Sequence, residues 1–378
     1  MSARIAVIGA GWYGCHIATS LKALGFEVSV YERDHRVLNG ASGNNQFRLH
    51  LGFHYARHHG TRVQSREGFG RFVERYPQLS RKVDDNIYAV PTEDSLLDFS
   101  TYKLIMTSSG IEFKEIDPAS TPLMHISGAI LTEERVLLIE RAREYFTNTL
   151  GSALNLNATV DRVEQAPGHV SLCDSRFDYV IDATWGHMLE VPAKVYYEPT
   201  LLLYYETAEN CPAVTLVDGP LCSLYPTEER RLFTLSSVPL TPLGRFENPE
   251  AAFQAQQAVT EQIVETKRGA MEAQMQHYMP SFGEIARYVG PQISMKTKPV
   301  GEHDDRMCRV YRNDRVFSIL SGKIDTVFFA LDRILAALEA GYASGGGEVK
   351  SALLGDIENS RRRLAAGASA RGSLEDCD

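Results

Sequence analysis

A short basic segment carries the side chains of this sequence that best suit acid–base chemistry. Residues 41–62 read ASGNNQFRLHLGFHYARHHGTR and contain four of the chain's eleven histidines. Histidine titrates near neutral pH, so His50 and His54 are candidate acid–base residues. Arg48 precedes His50 by two residues, and both side chains face the same way if the segment is extended. A buried ion pair for the arginine, or a structural hydrogen-bonded role for each histidine, fits the same residues.

A metal site is another use for such histidines. His50, His54 and His58 are spaced by four residues and would share one face of a helix. Glycines interrupt the segment, however, and it contains no cysteine or carboxylate to complete a ligand set. We therefore expect no metal here, and we expect His58 and His59 to lie at the surface.

The composition limits what the whole chain can be. Its 378 residues exceed what one compact core accommodates, so we expect two domains or one domain with an inserted lobe. A net charge of -9 argues against a nucleic-acid-binding protein, and no apolar run is long enough to span a membrane. The six cysteines form no C-x-x-C pair, and no signal-peptide pattern is present. We expect a soluble, cytoplasmic protein.

The elements that would position this chemistry begin with a βαβ unit. Residues 4–8 (RIAVI) form a β-branched apolar run, residues 14–25 show helical spacing, and residues 27–32 alternate as a strand does. Between the first strand and the helix lies GAGWYG, which has the order G-x-G-x-x-G. Its position after a strand and before a helix predicts a dinucleotide-binding turn.

Each residue of this turn has a physical purpose. Gly9 permits the tight turn, Gly11 lets a pyrophosphate approach the backbone, and Gly14 lets the helix and strand pack closely. The helix N-terminus attracts the phosphates. Glu32 ends the second strand, where a carboxylate accepts hydrogen bonds from ribose hydroxyls and repels a 2′-phosphate. The pattern therefore favours FAD or NAD over NADP, and its N-terminal position favours FAD. A glycine-rich turn in an unrelated βαβ unit is the alternative.

Further patterns follow along the chain. We predict a helix over 133–146, a buried strand within 177–186, antiparallel strands over 195–238, one helix over 248–279 that bends at Gly269, and a strand, turn and helix over 315–341. The Gly- and Ser-rich tail from about 343 is expected to be disordered towards its end.

Four segments in the same order resemble the FAD-dependent oxidoreductases of the D-amino acid oxidase type. This family includes glycine and sarcosine oxidases, glycerol-3-phosphate dehydrogenase and L-2-hydroxyglutarate dehydrogenase. The segments are RIAVIGAGWYGCHIATSLKALGFEVSVYERD, ASGNNQFRLHLGFHY, FDYVIDATWG, and GPQISMKTKPVG followed by VFSILSGKIDTV. The second is most similar to the hydroxyglutarate dehydrogenase branch. Two departures leave the substrate open: Met295–Lys298 replace an arginine before proline, and Ser321–Ile324 replace a Gly-His-Gly turn.

The resemblance implies an α/β fold built from two domains. A discontinuous Rossmann-type FAD-binding domain would comprise 1–86, 127–190 and 285–342. A mostly antiparallel β substrate domain with helices would be inserted as 87–126 and 191–284. Residues 343–378 would form the tail.

The resemblance also implies FAD as the cofactor, which we expect to be bound without a covalent bond. The expected cofactor contacts are Gly9, Gly11, Trp12, Tyr13, Gly14, Glu32, Arg33, Ala41, Ser42, Asn44, Asn45, Val160, Ala183, Thr184, Gly186, Ser321, Gly322, Lys323 and Ile324.

Catalytic and substrate-binding residues follow by the same comparison. The expected catalytic residues are Arg48, His50, His54, Tyr225 and Lys323, and the expected substrate-binding residues are Tyr204, Lys296 and Lys298. A helix N-terminus beside Lys323 would stabilise negative charge on a reduced flavin. Lys296 and Lys298 would bind a carboxylate as point charges. Packing is the alternative for the tyrosines, and a surface position is the alternative for Lys323.

The leading functional expectation is an oxidase. It would oxidise the C–N bond of an amino acid or N-substituted glycine by hydride transfer to flavin N5, with oxygen as acceptor. An FAD-dependent 2-hydroxy acid dehydrogenase that uses another electron acceptor is one alternative. A non-catalytic dinucleotide-binding subunit is an alternative of another class. The expected partner is a small anionic carboxylate, without nucleic acid, and the oligomeric state stays open.

Overall fold

A computed structural model describes residues 2–301 and 305–344. The strands are β1 Arg4–Ile8, β2 Glu27–Tyr31, β3 Arg48–Leu49, β4 Ser80–Lys82, β5 Asn86–Pro91, β6 Lys114–Ile116, β7 Ile126–Leu131, β8 Arg135–Leu137, β9 Leu154–Asn155, β10 Glu164–Ala166, β11 His169–Leu172, β12 Ser175–Phe177, β13 Tyr179–Asp182, β14 Val195–Thr207, β15 Ala213–Leu216, β16 Cys222–Pro226, β17 Leu232–Ser237, β18 Ala286–Pro299, β19 Arg309–Asn313 and β20 Val316–Leu320. The helices are α1 Trp12–Ala23, α2 His59–Arg75, α3 Phe99–Ser108, α4 Ile139–Leu150, α5 Pro249–Gln257, α6 Glu261–Tyr278, α7 Phe282–Ile285 and α8 Val327–Ser344.

A mostly parallel six-stranded sheet carries the βαβ unit. Its strand order is β19-β20-β13-β1-β2-β9, and only the edge strand β19 runs antiparallel to its neighbour. Ile5, Ala6 and Val7 in β1 are fully buried, as expected for a central strand covered on both faces. The carboxyl ends of β1, β13 and β20 therefore lie side by side at one edge of the sheet.

An eight-stranded sheet forms the second layer. Its order is β18-β14-β17-β16-β15-β5-β7-β6, and only the β15–β5 pair is parallel. The long strands β14 and β18 pair along almost their whole length. Helix α6 covers one part of this sheet, where Met271 and Met275 are fully buried in the same apolar cluster as Leu203 and Leu235.

A small sheet of order β3-β8-β4 joins distant parts of the chain around Arg48. Arg48 of β3 pairs with Val136 of β8, which also pairs with Arg81 of β4. Residues 134–137 therefore lie directly beside the basic segment that the sequence singled out. A further three-stranded sheet has the order β10-β11-β12.

Two predicted helices differ from the observed elements. The segment 133–146 contains strand β8 before helix α4, because Val136 and Leu137 are fully buried between two partner strands. This tertiary pairing outweighs the local helical spacing. The segment 248–279 forms two helices, since the Thr260 side chain caps α6 by accepting a hydrogen bond from the Ile263 N–H. The predicted single helix is wrong, because the break lies between α5 and α6, and α6 continues through Gly269.

Sheet membership also bears on the expected domain boundaries. Strands β7 and β18 fall in segments assigned to the cofactor domain, yet they pair within the eight-stranded sheet. The domain division itself stays a prediction. The tail from 345 onwards lies outside the described residues. Over 2–301 and 305–344, no helix has the length and apolar character needed to cross a membrane.

Candidate active site

A cavity of about 620 Å³ opens between the two large sheets. One side is formed by the turns that follow β1, β13 and β20, and the other by strands β14 to β17 and their connections. In doubly wound folds, ligands bind at such carboxyl ends of parallel strands. Of the predicted residues, the cavity is lined by Gly11, Trp12, Tyr13, Ala41, Ser42, Asn45, Arg48, His50, His54, Ala183, Lys296, Lys298, Ser321, Gly322, Lys323 and Ile324.

The glycine turn after β1 is as tight as its sequence implies. Gly9 has a φ of +91°, which favours glycine, and a Cβ on Gly14 would lie 1.8 Å from the Gly9 carbonyl oxygen. A Cβ on Gly11 would lie 3.0 Å from Ser42 Oγ, which accepts a hydrogen bond from the Trp12 N–H at 3.0 Å. Because the glycines at 9, 11 and 14 carry no side chains, a ligand can approach the N-terminus of α1 closely, so the turn fits a pyrophosphate.

Glu32 lies beside this turn at the end of β2. Its two carboxylate oxygens accept hydrogen bonds from the Ala10 N–H at 2.7 Å and the Asp34 N–H at 3.0 Å. Burial raises the pKa of Glu32, while these two hydrogen bonds favour its charged form. The carboxylate is thus fixed in place where a ribose hydroxyl would need an acceptor.

Tyr13 links the glycine turn to the far end of the chain. Its hydroxyl lies 2.6 Å from Ser321 Oγ and 2.7 Å from the Lys323 carbonyl oxygen. It also lies 2.7 Å from Thr326 Oγ1. The neighbouring Trp12 differs, because its ring packs against Phe72, Tyr76 and Phe146 in the core. Only the backbone of Trp12 is therefore suited to contact a cofactor.

Arg48 is held in the cavity wall by the small sheet and by aromatic rings. Its Nη1 donates hydrogen bonds to Tyr88 Oη and Thr215 Oγ1, both at 2.8 Å. Its guanidinium lies 4.0 Å from the centroid of the Tyr225 ring. Burial opposes the charge, but the two tyrosines and Glu134 raise the pKa of Arg48 above its ordinary value. Nε and Nη2 are buried and have no hydrogen-bond partner in the described protein, so they remain for a ligand.

His50 and His54 lie together in the cavity wall, close to Arg48. Their ring centroids are 6.1 Å apart, and the Nδ1 atom of each is buried without a hydrogen-bond partner in the described protein. Burial lowers the pKa of both imidazoles well below 6.5, and Lys323 and Arg48 lower it further. Both histidines are therefore neutral near pH 7 and able to accept a proton.

Lys323 faces the same space from the turn after β20. Its Nζ is 4.0 Å from the centroid of the Tyr55 ring and is buried without a hydrogen-bond partner among the described residues. A buried ammonium without a partner is unfavourable in the protein alone. The residue therefore fits a site that receives negative charge from a bound ligand.

The two lysines of β18 differ from each other. Lys298 forms an ion pair with Glu198, which is almost fully buried. Burial, with Lys298 nearby, lowers the pKa of Lys296 to about 8. Lys296 is thus the better placed of the two to meet a substrate, because the charge of Lys298 is already balanced.

Other predicted residues do not line this cavity. Tyr204 and Tyr225 are displaced from it: the Tyr204 hydroxyl accepts a hydrogen bond from Gln292, and Tyr225 lies behind Arg48 and donates to the Arg135 carbonyl oxygen at 3.2 Å. The remaining cofactor candidates outside the lining are Gly9, Gly14, Glu32, Arg33, Asn44, Val160, Thr184 and Gly186. Their roles stay predictions.

The structure adds residues that were not among the expected cofactor, catalytic or substrate-binding residues. Gln46, Tyr55, Trp185 and Arg306 line the cavity, and the fully buried Glu134 lies behind it. Gln46 and Tyr55 lie within the basic segment, so their closeness in sequence to Arg48 and His50 could have identified them as site residues. No such signal pointed to Glu134, because it is brought close to the basic segment only by the pairing of β8 with β3.

Comparisons with known proteins give the family. The family model for FAD-dependent oxidoreductases, DAO, matches residues 4–317. An FAD-dependent monooxygenase, FPY4 of Fusarium mangiferae, is 55% identical over 335 residues, which is 89% of this chain and 91% of that protein. The FAD-dependent monooxygenase kojA of Aspergillus flavus is 28% identical over 363 residues, covering 88% of this chain and 85% of that protein.

Solved structures agree with this at the level of the fold. Glycine oxidase from Geobacillus kaustophilus superimposes with a TM-score of 0.67 at 13% identity, covering 90% of this chain and 95% of that one. L-alpha-glycerophosphate oxidase from Mycoplasma pneumoniae gives a TM-score of 0.68 at 12% identity, covering 89% and 94%. The predicted fold class is confirmed, as are the FAD cofactor and the expectation of an enzyme. With a family model covering most of its length, the chain belongs to the DAO family of FAD-dependent oxidoreductases.

Proposed function

We propose that this enzyme oxidises the C–N bond of an amino acid or N-substituted glycine, with oxygen as the electron acceptor. The observation that carries the proposal is the convergence of Arg48, Lys323 and neutral His50 on one cavity. Bound FAD would supply the acceptor for the hydride that leaves the substrate carbon. Loss of that hydride and of the N–H proton gives an imine, which water hydrolyses.

The charges of the cavity suit a substrate carboxylate. Among the described residues, two buried nitrogens of Arg48, Nε and Nη2, have no hydrogen-bond partner, and neither has the Lys323 ammonium. A carboxylate would accept charge-assisted hydrogen bonds from such donors. Lys296 offers a further cation, which its pKa of about 8 leaves mostly charged near neutral pH. The cavity therefore favours a small anionic molecule over a neutral one.

The neutral imidazoles suit the proton chemistry. An amino acid enters as an ammonium ion and must lose a proton before its nitrogen lone pair can form the C=N bond. His50 and His54 line the cavity and are neutral near pH 7, because their pKa values lie well below 6.5, so each offers an unprotonated ring nitrogen for that proton. The same base would serve a 2-hydroxy acid, whose oxidation to a keto acid is the alternative.

A monooxygenase activity is a second candidate, favoured by the names of the relatives at 55% and 28% identity. In that reaction one oxygen atom enters the substrate and the other leaves as water. Two electrons must then come from a separate reductant, such as a reduced nicotinamide nucleotide. The two candidates therefore differ in what reduces the flavin.

Anaerobic reduction of the purified holoenzyme tests these alternatives. A panel of amino acids, N-methylated amino acids and 2-hydroxy acids would be added without oxygen, and the visible flavin absorbance recorded. We expect bleaching by an amino acid, and hydrogen peroxide release once air is admitted. Bleaching by a hydroxy acid alone would replace the proposal by the dehydrogenase, and bleaching only by NADH or NADPH would replace it by the monooxygenase.

A further inference from the structure

Glu134 is a buried carboxylate behind the cavity. It lies between β7 and β8 and has no solvent exposure. Its Oε1 accepts a hydrogen bond from the Leu51 N–H at 2.8 Å, and its Oε2 accepts one from the Tyr88 hydroxyl at 2.7 Å. A buried carboxylate is costly unless hydrogen bonds and a nearby cation stabilise it. The two hydrogen bonds and the nearby Arg48 meet this requirement for Glu134.

The same carboxylate faces His50. Glu134 Oε1 lies 3.6 Å from His50 Nδ1, and this nitrogen is buried with no hydrogen-bond partner in the described protein. The other charged or titratable groups that act on His50 are the cations Lys323 and Arg48 and the neighbouring rings of His54 and Tyr55. Glu134 is thus placed to balance the cations around the imidazole.

Glu134 also reaches Arg48 through one intermediate side chain. Arg48 Nη1 donates to the Tyr88 hydroxyl, and that hydroxyl donates to Glu134 Oε2. One carboxylate is therefore connected to both residues that face the proposed substrate. Leu51, whose N–H donates to Glu134 Oε1, directly follows His50, so Glu134 also holds the backbone beside the histidine.

We propose that Glu134 is a positioning residue that selects the proton location on His50. The carboxylate holds the neutral imidazole with its proton on Nδ1, which leaves Nε2 as the proton acceptor towards the cavity. When Nε2 takes a proton from the substrate, the imidazolium then lies beside an anion. The role of His50 as a base rests on the proposed function. The tautomer of the neutral His50 ring does not depend on which substrate the enzyme oxidises.

The tautomer is measurable without turnover. The holoenzyme would be labelled with ¹⁵N-histidine, and long-range ¹H–¹⁵N spectra recorded near pH 7, with the His50 signals assigned from their loss in His50→Gln. We expect His50 to be neutral with its proton on Nδ1. A neutral His50 with the proton on Nε2 and a bare Nδ1 would overturn the proposal, whatever the enzyme oxidises.

A double-mutant cycle then tests the consequence for turnover. With an amino or hydroxy acid that reduces the wild-type flavin, Glu134→Gln should slow flavin reduction by roughly 10- to 100-fold, as for other carboxylate–histidine pairs, with little change in KM. In His50→Gln, the further change Glu134→Gln should have almost no effect. Two effects that multiply would show that Glu134 acts elsewhere and would overturn the proposal.

Tyr88→Phe is the matched control, since it removes the hydrogen bond between Tyr88 and Glu134 but keeps the carboxylate beside His50. We expect it to keep the Nδ1–H tautomer. FAD content and thermal unfolding would be measured for each variant. If Glu134→Gln does not fold, the wild-type tautomer still decides. If no substrate reduces the flavin, the proposed function fails while the tautomer measurement stands.

Discussion

Arg48 and Lys323 each bury hydrogen-bond donors that the described protein leaves without acceptors. An unsatisfied buried donor costs about 1–3 kcal/mol, and more when it is charged. A bound anion would supply the acceptors that these donors lack. The end of the basic segment differs from Arg48. There the His58 ring accepts a hydrogen bond from the Thr61 N–H and caps α2.

This contrast predicts unequal effects of substitution within one segment. Arg48→Met should slow flavin reduction by about 100-fold or more, because the variant loses the charged donors that would orient an anionic substrate. His59→Gln is the control, since His59 is exposed at the start of α2 and should leave turnover unchanged. Stopped-flow flavin reduction by the same substrate measures both. Equal losses would contradict the division of the segment into active-site and surface parts.

The pH dependence of turnover follows from the charges around His50. Burial, Lys323 and Arg48 all lower the pKa of His50, so the acid limb of kcat/KM should lie below pH 6.5. Lys323→Met removes one positive charge, which favours the protonated imidazole and raises its pKa. The acid limb should therefore move to higher pH. Lys114→Met, a change at an exposed lysine of β6, should leave the limb in place.

The attachment of FAD is open to a simple measurement. Cys222 lines the cavity, but burial raises the pKa of its thiol to about 12, so the thiolate needed for a covalent bond is scarce. We expect acid precipitation to release all the flavin into the supernatant. Flavin that stays with the precipitate would contradict the expectation of non-covalent binding.

At the scale of elements, the close approach of Gly9 and Gly14 makes a strong prediction. Gly14→Ala should abolish FAD binding or folding, since its Cβ would lie 1.8 Å from a backbone oxygen. Gly269→Ala is the control, because nothing lies within 4 Å of a Cβ there and the residue is inside helix α6. The control should be stabilised by about 0.5–1 kcal/mol. Thermal unfolding and the flavin content of the two purified variants provide the comparison.

Elements with strong local signals were predictable from the sequence. Strand β1 coincides with the predicted run 4–8, because a β-branched apolar segment before a glycine turn has few other solutions. Strand β8 was not predictable, since Val136 and Leu137 become a strand only by pairing with segments far away in sequence. The residues of the candidate site divide in the same way. Arg48 and His50 were found locally, whereas Glu134 reaches them only through that pairing.

At the scale of the whole molecule, the Tyr13 hydroxyl joins the first βαβ unit to the turn after β20. Tyr13→Phe should weaken FAD binding by about 1–2 kcal/mol, because the turn that carries Lys323 loses its connection to α1. Tyr311→Phe, in edge strand β19, should not change it. Titration of the apoprotein with FAD measures the two dissociation constants. Equal affinities would show that the turn is held by other contacts.

The contact between residue 13 and residues 321–326 has a consequence for biosynthesis. During translation, the glycine turn leaves the ribosome first but must wait for roughly three hundred further residues before its partner exists. Strand β1 likewise needs β13 as its neighbour. Such non-local pairing slows folding and leaves apolar edges exposed to aggregation. The hydrogen bonds of Tyr13 can therefore form only after β20 and the turn that follows it have been synthesised.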